Sequence, residues 1–69
     1  MPEGKLDKRF GAVAVDKGFI TLENLYEAMK IQIHENLAGS DHRLIGQILW
    51  DKGYIKTEQI SEVLKILGI

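Results

Sequence analysis

The sequence predicts an all-α fold, with two helix–turn–helix repeats packed as a small pseudo-symmetric four-helix domain. Three observations carry that expectation. The stretch VDKGFI, residues 15–20, returns as WDKGYI, residues 50–55. Apolar residues flanking both stretches recur at helical rather than strand spacing. Gly18 and Gly53 stand where a helix C-terminus favours a left-handed residue, a conformation glycine adopts without steric cost.

The repeat extends well beyond the shared stretch. At an offset of 35, Gly11 meets Gly46 and Gly18 meets Gly53. Asp16, Lys17, Ile20, Glu23, Glu27, Lys30 and Ile31 meet identical residues at the same offset. Phe10 pairs with Ile45, Val13 with Ile48, Phe19 with Tyr54, Leu25 with Ile60 and Met29 with Leu64. A unit too small to bury its apolar face alone buries it against its copy. The chain therefore reads as one domain, 1–69. Repeat 1 covers about 9–33, a linker about 36–41 and repeat 2 about 43–68.

The first helix is expected near 6–17, with Phe10, Val13, Ala14 and Lys17 in one stripe. Phe19 and Ile20 anchor the turn. Thr21 is the N-cap candidate of the second helix, near 21–36, with Glu23 favourable in its first turn. Leu25, Ala28, Met29, Gln32 and Ile33 are expected on its inner face. The LAGSD stretch is rich in turn formers and ends in Asp41, an N-cap candidate. The third helix is expected near 41–52 with Ile45, Ile48 and Leu49 inward. The fourth, near 57–67, carries Ile60, Val63, Leu64 and Leu67. Lys56 replaces the capping threonine, and Thr57 is the substitute cap.

Composition narrows the function classes. Lys plus Arg is 9 and Asp plus Glu is 10, giving a net charge of −1. A near-neutral chain has no footprint for duplex DNA, and Glu23, Glu27, Glu58 and Glu62 on the second helix of each repeat would repel phosphate. With no cysteine, disulfides and thiolate metal sites are excluded. His34, Glu35, Asp41 and His42 flank the linker but match no metal-ligand spacing, so neither metal nor cofactor is expected. No apolar run is long enough to span a membrane. The MPEGKLDKRF stretch lacks the apolar centre of a secretory signal, so a cytoplasmic location is expected. Ser40 and Ser61 sit in no nucleophile motif, and GxxxxGK[ST] is absent. A non-enzyme is the expectation.

A chain of 69 residues buries only about 60% of its unfolded surface. Association with a protein partner or a second copy is a common source of extra stability at this size. FGAVAV and IGQILW are apolar on more faces than a small core needs. Val15 and its counterpart Trp50 fall off the main stripe and mark a candidate partner surface, with Tyr54 beside them. The alternative for Trp50 is a core position folded over Tyr54.

The stretch RFGAVAVDKGFITLENLYEAMKIQ, residues 9–32, resembles the repeat of the MshEN-type domain of type II secretion and type IV pilus assembly ATPases. That pattern runs Arg-Leu-Gly, a second Gly seven residues on, spaced leucines and a final Gln. Arg9, Phe10, Gly11, Gly18, Leu25, Met29 and Gln32 occupy those positions here. In RLIGQILWDKGYIKTEQISEVLKIL, residues 43–67, Gly46, Gly53, Ile60 and Leu64 do so. The resemblance implies a bacterial protein and cyclic di-GMP as a candidate ligand. Arg9 would pair with phosphate or stack on guanine, Gly11 would let the backbone approach the ligand, with Gly46 at the matching position, and Gln32 would bond a base edge or orient the arginine.

The second copy departs from that pattern. Its arginine, Arg43, lies three residues before Gly46 rather than two. Leu44 stands opposite Arg9, and Leu67 opposite Gln32. Some domains of this type bind no nucleotide and dock other proteins. The leading expectation is therefore a non-enzymatic interaction or regulatory adaptor module. The alternative is a cyclic di-GMP sensor using Arg9, Gly11, Gln32, Arg43 and Gly46.

Overall fold

The computed structural model describes the backbone of residues 2–39 and 43–68, and the side chains of residues 8–39 and 43–68. Four helices and no strand occur among the described residues: α1 (Pro2–Asp16), α2 (Leu22–Ala38), α3 (Ile45–Asp51) and α4 (Thr57–Leu67). The all-α four-helix expectation is met.

Both repeats turn in the same way. After α1 the Phe19 N–H donates to the Ala14 carbonyl at 2.9 Å, and after α3 the Tyr54 N–H donates to the Leu49 carbonyl at 2.9 Å. Gly18 at φ 76° and Gly53 at φ 79° supply the left-handed residue inside each bonded turn. This is the Schellman arrangement, which satisfies carbonyls left open at the helix end. Ile20 and Ile55 follow at the same distance from the glycine, and both are buried.

The helix starts differ. Thr21 Oγ1 accepts from the Asn24 N–H at 3.0 Å, and Asn24 Oδ1 accepts from the Thr21 N–H at 3.1 Å, a reciprocal cap. α4 has only half of this. Lys56 is its N-cap residue, and Gln59 Oε1 accepts the Lys56 N–H at 2.9 Å. Thr57 is the first helical residue rather than the cap, because it follows the extended Lys56 (φ −98°, ψ 159°).

Three boundaries move. α1 begins at Pro2 rather than near residue 6, and proline suits a first helical position, where the missing N–H has no partner to lose. α2 runs two residues further than expected, to Ala38. α3 begins at Ile45, not near residue 41. Leu44 is extended (φ −75°, ψ 157°), and Gln47 Oε1 takes its N–H at 3.1 Å. Asp41, the expected cap, lies outside the described residues, as does His42.

Packing crosses between repeats. α2 lies chiefly against α3, and α1 against α4 and α3, with a lighter α1–α2 contact. Each repeat therefore covers the other. The shared core holds Phe10, Ala14, Ile20, Leu25, Ala28, Ile45, Ile48, Leu49, Ile55 and Val63. Met29, Ile31, Ile60, Leu64 and Leu67 pack half-buried around it. Ile33, expected inward, is exposed. Ile31 packs against the core instead, because the buried arc of α2 is set by Leu25 and Ala28.

Candidate functional site

An apolar groove of about 340 Å³ opens where α1, α3 and α4 meet. Phe10 comes from α1; Gly46, Gln47 and Trp50 line it from α3, preceded by Leu44; Thr57, Ile60 and Leu64 line it from α4. Phe10 is buried while Trp50 is 54% exposed, so the groove carries a large aromatic that the core does not absorb. A core position for Trp50 is therefore ruled out. Gly46 shapes the wall: a Cβ there would stand 3.1 Å from Phe10 Cζ. A groove of this volume is within the range that takes apolar side chains of a ligand.

The sequence offered two signals for this site. Trp50 stood off its stripe, and Gln47 was the single polar break in IGQILW. Leu44, Thr57, Ile60 and Leu64 were not foreseen as a surface, because a gap among three helices leaves no mark on any one of them.

The expected partner residues separate. Trp50 lines the groove, whereas Val15 is half-buried and packs against the core. Tyr54 is also half-buried, and its hydroxyl donates to Glu27 Oε1 at 2.9 Å. That bond to a carboxylate raises the Tyr54 phenol above its usual value, with burial acting in the same direction. Lys52 Nζ lies 3.4 Å from the same Glu27 carboxylate.

The residues expected around a nucleotide have other contacts. Gln32 Nε2 donates to the Arg43 carbonyl at 3.1 Å, tying α2 to the entry of α3. Arg43 forks onto Glu35, with Nε donating to Oε1 at 3.2 Å and Nη2 pairing with Oε2. Its Nη1 donates to Asp51 at the far end of α3. Bonds to Glu35 and then Asp51 hold the guanidinium above its usual pKa, and the Arg43 bond holds the Glu35 carboxyl below its usual value. Arg43 is thus a clamp, and an arginine so placed also offsets the carboxylate that Asp51 puts at a helix C-terminus. Gly11 is buried, and a Cβ there would meet Leu25 Cδ1 at 2.6 Å, so α1 and Leu25 pack closely at this position. Arg9 is exposed on α1.

No group of three or more His, Asp or Glu among the described residues is placed to hold a metal. Among those residues no helix is long and apolar enough to cross a membrane. No family model matches the sequence, and no curated protein or solved structure was found similar to it.

Proposed function

We propose that this chain is a non-enzymatic protein-interaction module, a small regulatory adaptor whose docking site is the Trp50 groove. The partner presents an amphipathic helix, whose apolar residues enter between α3 and α4. The exposed Trp50 indole beside an open apolar groove carries this reading. Tryptophan is enriched among residues that dominate binding energy, and an amphipathic helix in an apolar groove is a recurring recognition mode. The likeness to the N-terminal domain of secretion and pilus ATPases supports an adaptor role in such machinery.

The test is selection of a displayed library of amphipathic helical peptides on the immobilised chain. Peptides with apolar residues at i, i+3/i+4 and i+7 should be enriched and should shift Trp50 emission to the blue. The Trp50→Ser variant should lose them. No enrichment, or equal enrichment on Trp50→Ser, would sink the proposal.

The second reading, a cyclic di-GMP sensor, is favoured by the exposed Arg9. It must do without Gln32 and Arg43 as they stand, since both are engaged within the chain. Amide shifts confined to Arg9, Gly11 and their neighbours on adding cyclic di-GMP, absent with GMP, would promote it. A flat titration would retire it.

A further inference from the structure

The buried face of α2, with Leu25 and Ala28, is turned to the core formed with α3 and α1. Its outer face is also apolar. Leu22, Tyr26, Ile33 and Leu37 are between 49% and 84% exposed, and half-buried Met29 lies between Tyr26 and Ile33. The steps along that stripe are 4, 3, 4 and 4 residues. These steps stay close to the ~3.6 residues of a helical turn, so the five residues share one face of α2. The stripe runs nearly the whole helix, roughly 22 Å at ~1.5 Å per residue.

We propose that this outer face of α2 is the interface of a two-fold homodimer, in which α2 packs antiparallel on α2 of a second copy. The charges flanking the stripe are complementary in that direction alone, and Leu37 lies beyond the paired segment. Setting Leu22 against the partner's Ile33 places Tyr26 against the partner's Met29. The same register brings Glu23, exposed on the flank of the stripe, beside the partner's Lys30, also exposed. Two-fold symmetry makes that ion pair twice. A parallel pair would set Lys30 beside the partner's Leu25 and Glu23 beside the partner's Gly18, so no ion pair would form. Docking the stripe into the Trp50 groove instead would be head-to-tail and open-ended, whereas an antiparallel pair closes at two. The groove draws no residue from α2, so the dimer leaves it open.

Sedimentation velocity from micromolar to millimolar concentration tests this on the full chain. The wild type should pass from monomer to dimer. Glu23→Lys and Lys30→Glu, each creating like-charge pairs, should weaken the dimer by roughly tenfold or more. The double variant Glu23→Lys/Lys30→Glu should recover most of the affinity. The two residues are two turns apart in one helix, so recovery reports contact between copies. Far-UV circular dichroism confirms that these surface changes leave the fold intact. The proposal is overturned by a monomer at every concentration, by a dimer indifferent to both single reversals, or by a double variant no better than the singles. A dimer abolished by Trp50→Ser and retained in Glu23→Lys would overturn it too, by moving the interface to the groove.

Discussion

Repeat 1 and repeat 2 share a turn but not a surface. Their C-terminal glycines have nearly the same φ, 76° and 79°, and the bonds closing the turns are both 2.9 Å. Around that common joint the packing diverges. Gly11 is covered by Leu25 of its own repeat, whereas Gly46 faces Phe10 of the other repeat. Ile60, the counterpart of Leu25, is half-buried at the groove instead of closing it. Val15 packs on the core, and its counterpart Trp50 stands in the open. The two copies share the hydrogen bonding of the turn. Function, in the reading offered above, sits where the second copy fails to reproduce the burial of the first.

The largest effect should come from the position where the two repeats differ most in volume at equal burial. Ala14 and its counterpart Leu49 are both 0% exposed. Leu49→Ala removes three carbons of the side chain from the centre and should cost about 2–5 kcal/mol. In a domain whose core supplies only about 3–5 kcal/mol, that change should leave much of the chain unfolded at room temperature. The reverse exchange, Ala14→Leu, overpacks the symmetric site and should cost about 1–3 kcal/mol. Urea unfolding followed by circular dichroism measures both. Equal losses would show that the two sites are interchangeable and that the repeats pack alike after all.

Much of this was legible in the sequence. The offset of 35 and the glycines gave the turns, because Schellman closure needs only local chemistry. Helical spacing gave Ile45, Ile48, Leu49 and Val63 as core. What was not legible depends on tertiary contacts. α2 is apolar on two faces, and only packing on α3 and α1 decides that Leu25 and Ala28 turn inward while Ile33 turns out. The delayed start of α3 follows from Arg43, whose side chain and carbonyl are held by residues from α2 and the end of α3. The resemblance implies Arg43 as a ligand residue, whereas its actual partners, Glu35 and Asp51, lie eight positions away on either side, a separation that no local helical spacing marks.

A smaller effect should sharpen the likeness of the two turns. A Cβ added at Gly18 or Gly53 meets nothing within 4 Å, so only the positive φ opposes it. Gly18→Ala and Gly53→Ala should therefore each cost about 1–2 kcal/mol, and agree with each other within a few tenths. A thermal melt of each variant checks this. A marked inequality would mean that one turn carries strain the other lacks.

The helix starts should differ more modestly. Thr21→Ala deletes an acceptor that the Asn24 N–H uses and should cost about 1 kcal/mol. Lys56 makes no side-chain cap bond, so Lys56→Ala should be near neutral. Lys56→Thr should restore the missing half of the cap and stabilise the domain by about 0.5–1 kcal/mol. The same melts read all three changes. Failure of Lys56→Thr to stabilise would place the weakness of repeat 2 elsewhere than in its cap.

The smallest effect concerns pH and belongs to one joint. The hydrogen bond from Arg43 holds the folded Glu35 carboxyl below the usual glutamate range. A carboxylate depressed in the folded state stabilises it above the unfolded pKa, and that contribution fades as pH falls through the folded value. Stability should thus decline on acidification below about pH 4.5, with the pair intact above it. The groups are partly exposed, so the slope should be shallow and should flatten further in high salt. Arg43→Gln should remove most of this acid dependence. At the equivalent position repeat 1 has Lys8, which is exposed, so Lys8→Gln should leave the profile unchanged. Equal loss of acid dependence in both variants would show that general charge, rather than the clamp between α2 and α3, sets the response.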